Sequence, residues 1–323
     1  MVKLTRRSAL AGLAAVFAAP RPSYATWPDR PITLVHGFAP GGGADITARL
    51  IAEPLAKRLG QSVLVESKAG AGSTLAAAQV ARAAPDGHTL HMIGSAFAAA
   101  AAMYKKLPYR AVEDFTAIGR ICEFPYLLVT HAGHPIQTMT ELVNTARSRS
   151  APLLYGTNGQ GSTQHLLIEL YARTMKIKLQ HVPYRGGAQA LNELLGQRID
   201  FILDPPIIYL EHIKAGKLRP LATTSIKRFS GLPEVPTLAE TGAPNFDVSS
   251  WFGVLGPAGL PNAVVTRLNA DIAAVVAQPD IQERLRALGN VPASSSPDEF
   301  KALISGTIAK WTSVIADAHI ERI

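Results

Sequence analysis

The sequence predicts an α/β fold built on largely parallel sheets, and three observations lead there. Segments rich in β-formers alternate with segments of helical period along most of the 323 residues. The junctions from strand to helix are glycine-rich loops that carry hydroxyls. The same strand–loop–helix unit returns in the middle of the chain. Alternation of this kind is what helices laid over parallel strands require.

Taken in order, residues 31–38 (PITLVHGF) read as a strand that ends at glycines. Residues 45–59 carry Ile46, Leu50, Ile51, Leu55 and Leu59 at helical spacing. Pro54 lies inside that helix and is expected to kink it. A short strand at 62–66 (SVLVE) leads through the small-residue loop 68–74 (KAGAGST) to an alanine-rich helix over 75–84. Asp86-Gly87 turns the chain into a strand at 88–93. The middle repeats the scheme. A strand at 153–155 precedes GTNGQGST and a helix over 163–175, and a strand at 180–183 precedes YRGG and a helix over 188–195. A strand at 198–203 ends at Asp204-Pro205-Pro206. The C-terminal part lacks a strand-rich pattern of its own, and residues 261–277 and 297–316 read as amphipathic helices.

The first 25 residues read as a secretory signal peptide. Lys3, Arg6 and Arg7 form the basic start, residues 8–19 the apolar run, and Ser23-Tyr24-Ala25 the small-residue cleavage site after Ala25. The run is too short to span a bilayer, which takes ~20 apolar residues. Thr5-Arg6-Arg7-Ser8-Ala9-Leu10 is similar to a twin-arginine signal, which leaves the twin-arginine and general secretory routes both open. Four of the 32 basic residues and none of the 24 acids fall in this segment, so the exported part carries 28 against 24. That mild excess, scattered and without interleaved aromatics, does not argue for nucleic acid, and no nucleic-acid partner is expected. The single cysteine, Cys122, excludes an intramolecular disulfide. Nearly three hundred residues can bury a sufficient core without one.

The loops at 39–45, 67–74, 156–163 and 184–188 repeat one device: strand, glycine with hydroxyls, helix N-terminus. The first N–H groups of a helix have no intrahelical partner and sit at the positive end of its dipole. Glycine lets a ligand reach them, so such ends take anions without any Lys or Arg. Gly41-Gly42-Gly43 lacks the GxGxxG spacing and no GxxxxGK[ST] occurs, which argues against nucleotides and for a small carboxylate. No GxSxG is present, and Ser162 with His165 at a helix start lacks a strained elbow. His88 and His91, three apart on a strand, would face opposite sides, and His131 and His134 flank a loop glycine. No metal-ligand spacing and no cofactor motif appear.

A set of segments runs through the mature chain in a specific order: WPDRPITL, FAPGGGADITAR, LGQSVLVESKAGAGST, APDGHTL, YKKLPY, EDFTAIG, YGTNGQGSTQHL, HVPYRGGAQAL, HIKAGKLRPLATTS, LPEVPTLAETG, SSWFGVLGPAGLP and VVTRLN. On these the chain resembles the Bug-type solute-binding receptors of the tripartite tricarboxylate transporter family. The resemblance implies a type II periplasmic binding protein fold, two doubly wound α/β lobes around a ligand cleft. It implies crossings between lobes near residues 128 and 249, with lobe 1 formed by 26–128 and 250–323 and lobe 2 by 129–249. It implies a periplasmic, monomeric, non-enzymatic protein that hands its ligand to membrane permease subunits. A carboxylate sensor with a signalling partner, and an exported hydrolase, are the competing readings.

Carried over by position, the resemblance implies ligand contacts at Phe38, Gly42, Gly43, Ala44, Asp45, Gly94 and Ser95 from the first lobe. From the second it implies Thr157, Gly161, Ser162, Tyr184, Gly186 and Asp204. Two departures from the family pattern stand out. Residues 96–102 (AFAAAAA) replace a polar stretch, which leads us to expect an apolar wall and a ligand with an apolar or aromatic body. Pro205-Pro206 follow the acid where small polar residues are usual, which is expected to narrow the second-lobe wall.

Overall fold

The computed structural model describes residues 27–38, 40–70, 73–184 and 186–323; the expected signal segment 1–25 lies outside them. Strand β1 (Ile32–His36) leads to α1 (Gly43–Leu59), then β2 (Val63–Ser67), α2 (Thr74–Ala81), β3 (Thr89–Gly94) and α3 (Ser95–Met103). A long β4 (Phe115–Pro125) gives way after one residue to β5 (Leu127–His131). There follow α4 (Met139–Ser148), β6 (Leu153–Thr157), α5 (Thr163–Met175), β7 (Leu179–Pro183), α6 (Gly187–Leu195) and β8 (Phe201–Asp204). A 3-10 turn at Pro206–Ile208, α7 (Leu210–Lys214), β9 (Leu218–Thr223), β10 (Ser249–Pro257), α8 (Asn262–Val276), α9 (Pro279–Ala287), β11 (Val291–Pro292) and α10 (Pro297–Asp317) complete the chain.

Two sheets result, ordered β11-β4-β10-β3-β1-β2 and β7-β6-β8-β5-β9. They are less parallel than the alternation suggests. In each, a parallel trio (β2-β1-β3 and β7-β6-β8) meets antiparallel strands. Those antiparallel strands, β4 with β10 and β5 with β9, are the ones flanking the passages between sheets. Strand β10 escapes a reading by alternation because it is buried on both faces, from Trp251 to Pro257.

The chain changes sheet at Tyr126 and again between Thr223 and Ser249. Thr224 ties the two passages together. Its hydroxyl donates to the Val248 carbonyl at 2.6 Å and accepts from Tyr126 N–H at 2.9 Å. Its N–H donates to the Tyr126 carbonyl, and its own carbonyl accepts from Val248 N–H.

The alanine run does not form a cleft wall. In α3, Ala99, Ala102 and Met103 share a core with Leu166, Leu167 and Ile168 of α5 and with Trp311, Val314 and Ile315 of α10. Phe97 turns the other way, onto Tyr109 and Phe115. Small side chains let α10 approach α3 closely, so the run is a packing surface. Helix α10 therefore packs on residues of the second sheet's layer as well as on Phe97's side, where Phe300 and Ile304 lie. Among the described residues no helix is long and apolar enough to cross a membrane.

Candidate functional site

Helices α1, α3 and α6 begin at Gly42, Gly94 and Gly186 with no side-chain cap, whereas α4 and α10 are closed by capping boxes at Thr138/Glu141 and Ser296/Glu299. The free N–H groups of α1 and α3 come from the first sheet, and those of α6 from the second. In α5, Ser162 caps its own helix by accepting from His165 N–H at 3.3 Å.

The loop before α1 is clamped from below. Asp45, 4% exposed, accepts from Gly41 N–H at 2.9 Å and from Arg49 Nε at 3.1 Å, and its other oxygen lies 2.9 Å from His36 Nε2. Phe38 N–H donates to His36 Nδ1 at 3.3 Å, so a neutral imidazole protonated on Nε2 satisfies both contacts. The Arg49 hydrogen bond leads in holding the Asp45 carboxyl down at about 2. The carboxylate thus faces the loop, and what Gly42, Gly43, Ala44 and Asp45 offer a ligand is main-chain N–H. The Phe38 ring, half-buried, meets Phe252 edge-on at 6.1 Å, and Phe252 meets Phe124 at 5.0 Å. An added Cβ at Gly94 would touch both Phe252 and Phe38. The apolar surface near the α1 and α3 N-termini is therefore aromatic.

Ser95 is buried. Its hydroxyl lies 2.6 Å from Ser250 Oγ and 3.4 Å from the Tyr126 hydroxyl, which joins the α3 N-terminus to both passages between sheets.

In the second sheet, Thr157 Oγ1 lies 2.6 Å from His181 Nε2. His181 stacks on His165 at 4.0 Å and on Tyr155 at 5.1 Å. Burial lowers both imidazoles to about 4, so they are neutral at pH 7. His165 Nδ1 accepts from Gly161 N–H at 3.1 Å, which orients the glycine loop. Tyr184 N–H donates to the Thr157 carbonyl and its half-buried ring packs over Gly156. Asp204, 2% exposed, accepts from Gln164 Nε2 at 2.6 Å and Asn158 Nδ2 at 3.2 Å. Burial nevertheless raises it to about 7. A Cβ at Gly187 would come within 2.6 Å of Asp204 Oδ2, so α6 needs glycine there.

The two layers meet at both sides of this region. A Cβ at Gly43 would stand 3.6 Å from Ile207, one at Gly289 2.9 Å from Pro206, and one at Gly161 2.5 Å from Met103. The residue after the Pro205-Pro206 pair thus reaches the α1 N-terminus. The donors present suit an anion. Nucleophilic chemistry is poorly supplied: burial pushes the Cys122 thiol up to about 12, and Ser162 is engaged as a cap. Among the described residues no group of three or more His, Cys, Asp or Glu side chains could hold a metal.

Sequence reasoning missed Asn158, Gln164, Tyr126, Ser250 and Ile207. Gln164 alone left a signal, a polar residue two positions past Ser162 on an otherwise apolar helix face.

Residues 47–320 match the family model described as the tripartite tricarboxylate transporter family receptor. BugT of Bordetella pertussis is 32% identical over 96% of this chain and 94% of its own. The structure of Rpa4515 of R. palustris with adipate has a TM-score of 0.84 at 34% identity, covering 92% of this chain and 100% of that one. MatC of Rhodopseudomonas palustris with bound malate has a TM-score of 0.79 at 34% identity, covering 90% and 100%.

Proposed function

The chain belongs to the tripartite tricarboxylate transporter receptor family, and from that premise we propose that it captures a small organic carboxylate between its two lobes and delivers it to the permease subunits of a tripartite transporter, without turning it over. It works in the periplasm, reached through the signal peptide at 1–25. With Tyr126 and the segment up to Val248 as the crossings, in place of 128 and 249, lobe 1 is 26–125 with 249–323, and lobe 2 is 127–248.

One observation carries the reading. Uncapped helix N-termini rise from both sheets, at Gly42, Gly94 and Gly186. Donors preset in this way need little reorganisation when a carboxylate arrives. Contacts at Phe38, Gly42–Asp45, Gly94 and Ser95 oppose those at Thr157, Gly161, Ser162, Tyr184, Gly186 and Asp204, in several cases through main-chain groups. A ligand with an apolar body is favoured by Phe38 and Phe252, in place of the alanine run. Solved relatives hold adipate and malate, which supports the carboxylate class.

The test is a thermal-shift screen of residues 26–323 against adipate, malate, citrate and benzoate. Acid at a thousand times its dissociation constant adds ~4 kcal/mol, which is a rise of roughly 8 °C for a protein of this size. A comparable rise with simple amines and none with any acid defeats the reading. Recovery of the acid chemically unchanged separates a receptor from a hydrolase.

A further inference from the structure

The turn that follows Asp204 is rigid and reaches two bare helix ends. Pro205 (φ −56°, ψ 146°) and Pro206 fix its entry. Ile208 N–H donates to the Pro205 carbonyl at 3.2 Å, and Tyr209 N–H to the Pro206 carbonyl at 2.8 Å. Tyr209, fully buried, seats the turn in the second sheet's core with Leu127, Val129 and Ile202. Ile207 and Ile208, both half-buried, go to different helices. A Cβ on Gly187 would lie 3.3 Å from Ile208, at the start of α6, and one on Gly43 would lie 3.6 Å from Ile207, at the start of α1. Pro206 also crosses to the first layer, against Gly289 between α9 and β11. A side chain of the second layer thus borders a bare helix end of the first.

The polar side chains at the α1 and α3 starts are already engaged. Asp45 holds Gly41 N–H, Arg49 and His36, and Ser95 lies within hydrogen-bond reach of Ser250 and Tyr126. The apolar side chains there are Ile207 at Gly43, and Phe252 and Phe38 at Gly94. A carboxylate seated on the α1 N–H groups places its next carbon one bond further out, beside Ile207. A hydroxyl on that carbon gives up water and meets aliphatic surface, whereas a hydrogen or an apolar group gains from the same contact. We propose that Ile207 is a specificity-determining residue of the cleft, selecting carboxylic acids whose carbon next to the bound carboxylate carries only hydrogen or apolar groups, and disfavouring 2-hydroxy acids. The inference rests on the carboxylate reading of the cleft and narrows it to one chemical class. A hydrophobic wall rejects an added hydroxyl only moderately, so the preference is about tenfold to a hundredfold.

Two matched pairs test it by calorimetry on residues 26–323: phenylacetate against mandelate, and succinate against tartrate. The members of each pair differ only in hydroxyls next to the carboxylates. The expected result is tighter binding of the plain acid, by about tenfold or more, in each pair that binds. Ile207→Thr, which puts a hydroxyl at that spot, should bring the two members of a pair to within a few-fold of each other. Ile207→Val, which keeps the apolar surface, should keep the gap. Ile207→Ala, which admits water, should also narrow it, and serves where the threonine variant does not fold. A purely structural role for Ile207 would weaken both members alike and leave the gap unchanged, and that result overturns the inference. Equal affinities within a pair in the wild type overturn it too, while the carboxylate reading stands. If neither pair nor adipate binds, the carboxylate reading itself falls and the inference falls with it.

Discussion

Replacing Asp204 by Asn should stabilise the ligand-free protein, and the gain should depend on pH. The carboxyl is 2% exposed, and only two amide donors, Gln164 and Asn158, offset its burial. Its pKa rises from 3.8 to about 7. The folded state thus holds this proton more tightly than the unfolded chain. Its contribution is full below about pH 4, declines as pH rises, and is gone above about pH 7. At ~1.4 kcal/mol per unit, ionisation in place costs on the order of 4 kcal/mol. Asn keeps an oxygen for both amide donors and cannot ionise. Urea unfolding of wild type and Asp204→Asn at half-unit steps from pH 4 to pH 8 measures the difference directly, because the other titrating groups cancel. The difference should change by about 3–4 kcal/mol in favour of the variant across that window. A constant offset between the two proteins, or a change in the opposite sense, would refute the reasoning.

Asp45→Asn is expected to act oppositely. The wild-type carboxyl is held at about 2, so its stabilisation is present above about pH 4 and lost as pH falls through 2. Because Arg49 is half exposed, screening leaves about 1 kcal/mol to lose at pH 7, readable in the same urea titration. Gly161→Ala should cost about 1–3 kcal/mol, since φ is +73° and the new methyl would meet Met103 at 2.5 Å; unchanged urea unfolding would show that the loop relaxes freely. If a carboxylate binds beside Asp204, it should draw in part of a proton near pH 7 by raising that pKa further. Calorimetry in two buffers of different protonation enthalpy would then give different apparent heats, and equal heats would place the ligand away from Asp204.

How much of this was legible in the sequence depended on which faces were wet. Helix α5 and helix α1 showed their period because one side of each meets polar surroundings, and their starts were marked by Ser162 and by the glycines before Ala44. Strand β10 was not legible, since both its faces are buried and no alternation survives. The alanines of α3 read as a wall only because their neighbours, α5 and α10, are distant in sequence. The glycine loops suggest an anion site by composition. The contacts that shape it do not: Asn158 and Gln164 reach Asp204 from 46 and 40 residues away, and Ser95 reaches Ser250 across 155. Those pairs exist only once the sheets are assembled.

The two buried acids explain why the loops can be left so bare. A helix that starts at glycine forgoes only a few tenths of a kcal/mol relative to one capped by Ser, Asp or Asn, and α1, α3 and α6 all start that way. The loop before α1 is held instead by Asp45, ionised, turned inward and fixed by His36, Gly41 N–H and Arg49. Its charge is matched locally, so it does not repel an arriving anion. Asp204 sits where Gly187 opens α6, and an unmatched carboxylate there would repel one. Burial keeps it close to half protonated at neutral pH, and two neutral amides hold it in place without adding charge. In one lobe the negative charge is matched by a partner, in the other it is partly removed by a proton. If a carboxylate binds at these helix ends as proposed, neither acid meets it as a full, unmatched charge.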